Sequence, residues 1–321
     1  MRYIITGAGQ IGSQLARDLL EAGHSVTVVR RGEQVEEGAD LLQGDAGDRA
    51  LMRAAVAGRD VPASAIFHCI HSSYDSAAWR RDLPEREQSV MEVAADAGIP
   101  VVFPESVYAF GTKARSLSEP LGADELTPAS PLGEVRADLL AARRSHRART
   151  VSVVAADLVG PTADPKSSVL HLLVFAPALS SRTVWVLGDP DVARSMTTIP
   201  DLTAAMVIAA EHAATIAADG DAVVTAPSTG PLSQRAMARE VAVAAGVRPR
   251  PVHTIPWWAL KVAGVFSPMM RELRDNRYLW DAPAVISPGS LELGYGLTPY
   301  SWDEVRRGIT TKATGSEDSA I

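Results

Sequence analysis

The chain opens on an apolar run, Arg2–Thr6 (RYIIT), followed at once by glycines and then by Ile11, Leu15, Leu19 and Leu20 at helical spacing up to Gly23. That order predicts a strand, a tight turn and a helix. Residues 26–29 read as a second strand, 40–43 as a third, 51–56 as a helix and 65–70 as a fourth strand. A helix around 90–97, a strand at 101–103, a helix at 135–144 and a strand at 151–155 continue the alternation. Strands alternating with helices predict an α/β fold with a doubly wound parallel sheet.

Beyond Asp157 the alternation breaks. Pro161, Pro165 and Pro177 punctuate a helical stretch around 170–179, and a short strand follows at 184–187. Residues 202–210 and 222–225 then read as a helix and a strand returning to the sheet. The expected organisation is one sheet domain of 1–156 plus about 198–226. A smaller, discontinuous substrate-covering region takes about 157–197 plus 227–311, and a flexible polar tail takes 312–321. A length of 321 residues suits one large domain with such a lid.

Composition removes several classes of partner. The net charge is −7, and Arg143, Arg144, Arg147 and Arg149 fit the end of one helix better than a phosphate-binding stripe, so no nucleic acid is expected. The one cysteine, Cys69, excludes an intrachain disulfide, and no Cys/His cluster has metal-ligand spacing, so no metal is expected. No apolar run reaches the ~18 residues of a membrane span, and the first strand leaves no room for a signal peptide. A cytoplasmic protein without a membrane partner is the expectation.

Gly7-Ala8-Gly9-Gln10-Ile11-Gly12 fits GxGxxG, directly after a strand and at the opening of a helix, the context that gives the pattern its meaning. Gly7 permits the turn, Gly9 lets the backbone approach a pyrophosphate and Gly12 lets helix and strand pack closely. The helix start at Gln10 and Ile11 offers N–H groups to the anion. This is the turn of a Rossmann dinucleotide domain. At the end of the second strand stand Arg30 and Arg31, where an acidic residue would accept from a ribose 2′-hydroxyl. Arginines there can bind a 2′-phosphate, so NADP is expected, with Glu33 nearby keeping NAD open.

These motifs resemble the extended short-chain dehydrogenase/reductases, the group that includes nucleotide-sugar epimerases and dehydratases, over most of the chain. TGAGQIG at 6–12 looks like the family's nucleotide motif, one residue shorter than its commonest form. Gly44-Asp45-Ala46-Gly47-Asp48 resembles its GDxxD element, which implies adenine contacts for Asp45 and Ala46. Phe67-His68-Cys69-Ile70 looks like its fourth strand, which implies that Cys69 and Ile70 touch the cofactor. Val107-Tyr108 is similar to its VYG element, with two residues inserted before Gly111, and Leu158-Val159-Gly160-Pro161 to its loop near the nicotinamide. The resemblance also implies a possible homodimer through the helices at 90–97 and 135–144.

The catalytic motif departs from the pattern. The family's Ser-Pro-Tyr-Gly-x-x-Lys stands here as Ser130-Pro131-Leu132-Gly133-Glu134-Val135-Arg136. Leucine cannot supply the proton that an alkoxide takes after hydride transfer. Arg136 stays protonated, so it can donate to cofactor hydroxyls or steady an oxyanion, or else sit in an ion pair. The chain is therefore most similar to the atypical branch of the family. The family's serine falls on Pro104, with Ser106 close by.

Beyond the strand ends, Tyr108, His71, Tyr74, Glu105 and Ser106 carry groups able to move a proton. Tyr108 leads, and with Arg136, Ser106 and His71 it forms the candidate catalytic set. Trp185, Trp257, Trp258, Phe266, Met269 and Met270 either line an apolar substrate pocket or form the lid's own core. Arg194, Arg271 and Arg274 could hold an anion. The expected function is an NADP-dependent oxidoreductase or redox-assisted isomerase acting on a small organic substrate, with a non-catalytic NADP-binding redox sensor as the alternative.

Overall fold

Parallel strands covered on both faces need apolar residues at consecutive positions, and the Val- and Ile-rich runs supply them. The computed structural model describes residues 1–58 and 61–315. Its strands are β1 (Arg2–Thr6), β2 (Ser25–Arg30), β3 (Asp40–Gln43), β4 (Ala65–His68), β5 (Val101–Ser106), β6 (Thr150–Ala155), β7 (Asp157–Val159), β8 (Val184–Val186), β9 (Ala193–Thr198), β10 (Asp221–Thr225), β11 (Thr229–Ser233) and β12 (Val252–Thr254). Seven of them form an all-parallel sheet in the order β10-β6-β5-β4-β1-β2-β3. The order reverses between β1 and β4, so the crevice at their carboxyl ends is where a ligand binds in a sheet of this kind.

The helices are α1 (Gln10–Glu21), α2 (Arg49–Ala57), α3 (Ser76–Ala97), α4 (Pro131–Ser145), α5 (Ala176–Leu179), α6 (Ile199–Glu211), α7 (Ala213–Ile216), α8 (Gln234–Ala244), α9 (Trp257–Ala263), α10 (Pro268–Asp275), α11 (Ser290–Tyr295) and α12 (Trp302–Gly315). Leu15, Ala16 and Leu19 of α1 join Leu202, Ala205, Met206 and Ala209 of α6 in one core against the sheet. Met52 and Val56 of α2 join Val90, Met91 and Ala94 of α3 in another. A further core, with Phe175, Met237, Val241, Leu273, Trp280 and Val305, holds the region beyond Asp157 together. Trp257, Met269 and Met270 pack against this core, whereas Trp185, Trp258 and Phe266 are exposed.

Three elements differ from the sequence expectation. α3 begins at Ser76, well before the apolar period at 90–97, and carries Pro84 inside it. The largely polar run ARSMTT forms β9, the middle strand of a second sheet in the order β11-β9-β7, where five of its six residues are buried. α12, with Val305 and Ile309 buried, runs to Gly315 and so enters the segment expected to be a tail; residues 316–321 lie outside the described residues.

Candidate active site

β1 ends at Thr6 and α1 begins at Gln10, so the chain reverses within three residues. Gly7 has φ +86°, and a Cβ on it would lie 3.1 Å from the Cys69 carbonyl oxygen and the Ile70 nitrogen. On Gly12 a Cβ would lie 2.0 Å from the Gly7 carbonyl oxygen, so only glycine lets α1 approach the turn this closely. Gly9 is different: nothing lies within 4 Å of its Cβ position, and no side chain caps α1. Open space at an uncapped helix start is the arrangement that accepts a pyrophosphate. The Gln10 carboxamide oxygen accepts from the Asp164 N–H at 2.8 Å, which ties the loop after β7 to the turn.

Arg30 at the end of β2 turns its guanidinium back toward this turn, donating to the Ala8 carbonyl at 3.5 Å and to the Gln34 carbonyl. Arg31 beside it is exposed. After β3, Asp45 is gripped by Arg86 of α3 at 3.0 and 3.1 Å and accepts from the Gly47 N–H. The Arg86 hydrogen bond holds its carboxyl below the usual carboxylate range. Ala46 is buried in the core on the α2 and α3 face, so its methyl group is not presented to a ligand.

The loops after β4 and β5 converge on Trp79, a buried residue of α3. His71 meets its ring edge-on at 4.9 Å, Tyr74 lies at 6.0 Å and Tyr108 at 6.2 Å, and the Arg136 guanidinium stacks 4.6 Å from its centre. Three of the four candidate catalytic residues thus surround one tryptophan that sequence reasoning missed. The Tyr108 and Tyr74 hydroxyls are hydrogen-bonded at 2.9 Å. Asn276 donates to the Tyr74 hydroxyl at 3.4 Å and accepts from the Ser130 hydroxyl at 2.8 Å. Burial raises the pKa of both phenols, so both keep their protons at neutral pH. Desolvation and the nearby Arg136 charge lower the pKa of His71, whose imidazole is neutral at pH 7. The fourth candidate, Ser106, ends β5, where its N–H donates to the Glu105 carboxylate at 2.7 Å.

Leu132, at the position where the resemblance implies a tyrosine, is fully buried with Leu83, Val135, Leu139 and Trp79. Arg136, at the lysine position, is buried 3.5 Å from Glu105. Further along α4, Arg143 donates to Glu87 at 2.8 and 2.7 Å, to Glu105 at 2.9 Å and to Ser152 at 2.9 Å, and it stacks 4.0 Å from the Phe103 ring centre. α3, α4, β5 and β6 are therefore joined by one buried ionic cluster.

His68 lies beside this cluster, its Nδ1 2.7 Å from the Thr6 hydroxyl, and burial pushes its pKa down to about 4. Between about pH 6.5 and pH 4 the unfolded imidazole takes a proton that the folded one refuses, so stability falls as the pH drops through this window. The whole effect is about 3 kcal/mol. Urea unfolding of the wild type and His68→Gln at pH 7 and pH 4.5 checks this; an equally steep acid loss in the variant excludes His68 as its source.

A cavity of about 70 Å³ opens at the carboxyl ends of β5 and β6, lined by Ser106, Tyr108, Asp157, Arg194 and Trp280 among others. Arg194 donates to Asp157 at 2.9 and 2.7 Å and stacks 4.1 Å from the Trp280 ring centre, so its charge is already matched. A larger cavity, about 490 Å³, lies along β10 and contains none of the residues singled out from the sequence as site candidates.

Residues 3–224 match the NAD dependent epimerase/dehydratase family. No curated protein matches the sequence. The UDP-glucose 4-epimerase of Thermotoga maritima, solved with UDP-glucose, superposes with a TM-score of 0.72 at 17% identity, over 99% of this chain and 100% of that one. The dTDP-glucose 4,6-dehydratase of Bacillus anthracis, in complex with NAD, gives 0.73 at 15% identity over 99% and 98%. The Thermus thermophilus UDP-glucose 4-epimerase complex with NAD gives 0.70 at 20% identity over 98% and 100%. These likenesses concern the fold, and the sequence match spans the sheet from β1 into β10: the chain belongs to the NAD dependent epimerase/dehydratase family.

Proposed function

We propose that the protein binds NADP at the β1–α1 turn and acts as an oxidoreductase or redox-assisted isomerase on a small organic substrate. The observation that carries this reading is the glycine turn itself. Gly7 and Gly12 have no room for a side chain, while Gly9 faces open space at an uncapped helix start. Structural neighbours solved with NAD or UDP-glucose support the same class of ligand. In this reading α1 and Gly9 hold the pyrophosphate, Arg30 and Arg31 the 2′-phosphate, Asp45 the adenine side, and the Cys69–Ile70 segment the inner face of the cofactor. A nicotinamide seated there supplies hydride transfer, and the chain's own residues handle the proton and the orientation.

Tyr108 donates the proton to the reacting oxygen in this proposal. Its phenol is protonated at neutral pH, it borders the cavity at the β5 and β6 ends, and its hydroxyl is hydrogen-bonded to that of Tyr74; solvent returns the proton after the transfer. Ser106 orients the substrate from the same cavity, and His71, neutral at pH 7 with Nδ1 turned to the Ser72 carbonyl, can accept a hydrogen bond there but has no acidic proton to give. Arg136 acts as a positioning residue through Trp79 and Glu105. A second reading, a non-catalytic NADP-dependent sensor, draws on the burial of Leu132 and the pairing of Arg136 inside the protein. Substrate-dependent loss of NADPH absorbance with any carbonyl compound separates the two.

Titration with NADPH and NADH tests the cofactor site. Arg30→Ala is expected to weaken NADPH binding about ten- to a hundredfold, because a charge-assisted contact to phosphate is worth about 1.5–3 kcal/mol, and to leave NADH binding nearly unchanged. Equal wild-type affinities would reject the NADP preference, and binding of neither would reject the site.

A further inference from the structure

Trp258, Val262, Val265 and Phe266 are 70%, 59%, 74% and 88% exposed, among the most exposed large apolar side chains of the protein. Trp258 and Val262, at i and i+4, share one face of α9, and Val265 and Phe266 stand in the turn that follows Ala263. The opposite side of α9 is spent inward, with Leu260 buried and Trp257 packed on the core beneath. A Cβ on Gly264 would lie 3.2 Å from the Arg271 backbone, so α10 crosses close behind and the turn between the two helices projects outward.

The charges of this hairpin are uneven. Glu272 is buried and accepts from the Ser76 N–H at 2.9 Å and the Ser76 hydroxyl at 2.6 Å, Asp275 pairs with Arg274 at 2.6 Å, and Asp281 pairs with Arg277. Lys261 is exposed and has no ion pair among the described residues, and Arg271 reaches Asp75 only at 3.8 Å. The tip therefore combines an apolar stripe with two weakly matched cations, on a chain whose net charge is −7. Contiguous exposed apolar surface of this kind marks a contact site.

We propose that the α9–α10 hairpin attaches the protein to the surface of an anionic lipid bilayer. Trp258, Val262, Val265 and Phe266 enter the boundary between headgroups and acyl chains, and Lys261 and Arg271 face the anionic headgroups. An aromatic and aliphatic face flanked by cations is the composition that lies in this layer. The attachment is peripheral, because no helix among the described residues is long and apolar enough to cross a membrane. It departs from the expectation of a protein without a membrane partner.

Cosedimentation of the full chain with phosphatidylcholine vesicles, with and without phosphatidylglycerol, tests the proposal. The wild type is expected to pellet with the phosphatidylglycerol vesicles, less so as salt is raised. The double variant Val265→Ser/Phe266→Ser is expected to bind at least about tenfold more weakly, because two large apolar side chains lose their burial. Lys261→Glu is expected to weaken binding severalfold. Thermal unfolding in solution should be unchanged, since all three side chains are exposed. Failure of the wild type to pellet overturns the proposal, as does a double variant that pellets equally well. Light scattering that shows a wild-type dimer and a monomeric double variant assigns the face to a second copy of the chain and also overturns it.

Discussion

Replacing Arg143 by methionine is expected to lower stability by about 3–5 kcal/mol, the cost of leaving a buried charge without its partner. Arg143 is enclosed by Glu87, Glu105, Ser152 and the face of Phe103, and neither carboxylate is exposed enough to recover hydration. Urea unfolding at pH 7 measures the loss; a deficit under about 1 kcal/mol would place this pair with exposed ones such as Arg80–Glu134. The pH dependence provides a second check. With Arg143 present, its charge overcomes burial and holds the Glu87 carboxyl below its ordinary range. Without it, burial raises that pKa, the folded state binds the extra proton, and part of the lost stability should return as the pH falls toward 5.

Tyr108→Phe is expected to reduce turnover of an identified substrate by about 10²- to 10⁴-fold while NADPH affinity stays within a factor of about two, because a general acid acts in the reaction and not in cofactor binding. The variant also loses the hydrogen bond to Tyr74, which costs about 1 kcal/mol of stability, so turnover must be measured well below its unfolding temperature. Unchanged turnover would reject Tyr108 as the acid. NADPH binding without oxidation by any carbonyl compound would leave the sensor reading.

The parts of the protein that could be read from sequence are those whose cause is local. β1, the glycine turn and α1 form one continuous signal, since the turn's demands fall on Gly7 and Gly12 and the helix shows its apolar period at once. α3 was only half visible: Glu87 and Ser89 are buried, yet by residue type they belong to a surface, so the helix lacked a readable apolar face before residue 90. β9 was hidden for a related reason. Its buried Arg194 and Thr197 are satisfied by Asp157 and Ser228, partners that no short window contains. The site divides in the same way. Arg30 and the glycines could be named from spacing, whereas the cluster around Trp79 draws on residues 71, 74, 108, 136 and 276. They meet where α3, α4, the loops after β4 and β5 and the segment after α10 pack on one another.

Leu132 and Arg136 also constrain what α4 can carry. A tyrosine at 132 would have to fit a larger, polar-tipped side chain among the buried Leu83, Val135, Leu139 and Trp79, and a lysine at 136 would give up the planar stack on Trp79. Each change alone is expected to cost stability. A tyrosine–lysine pair on α4 would therefore require the packing around Trp79 to change with it.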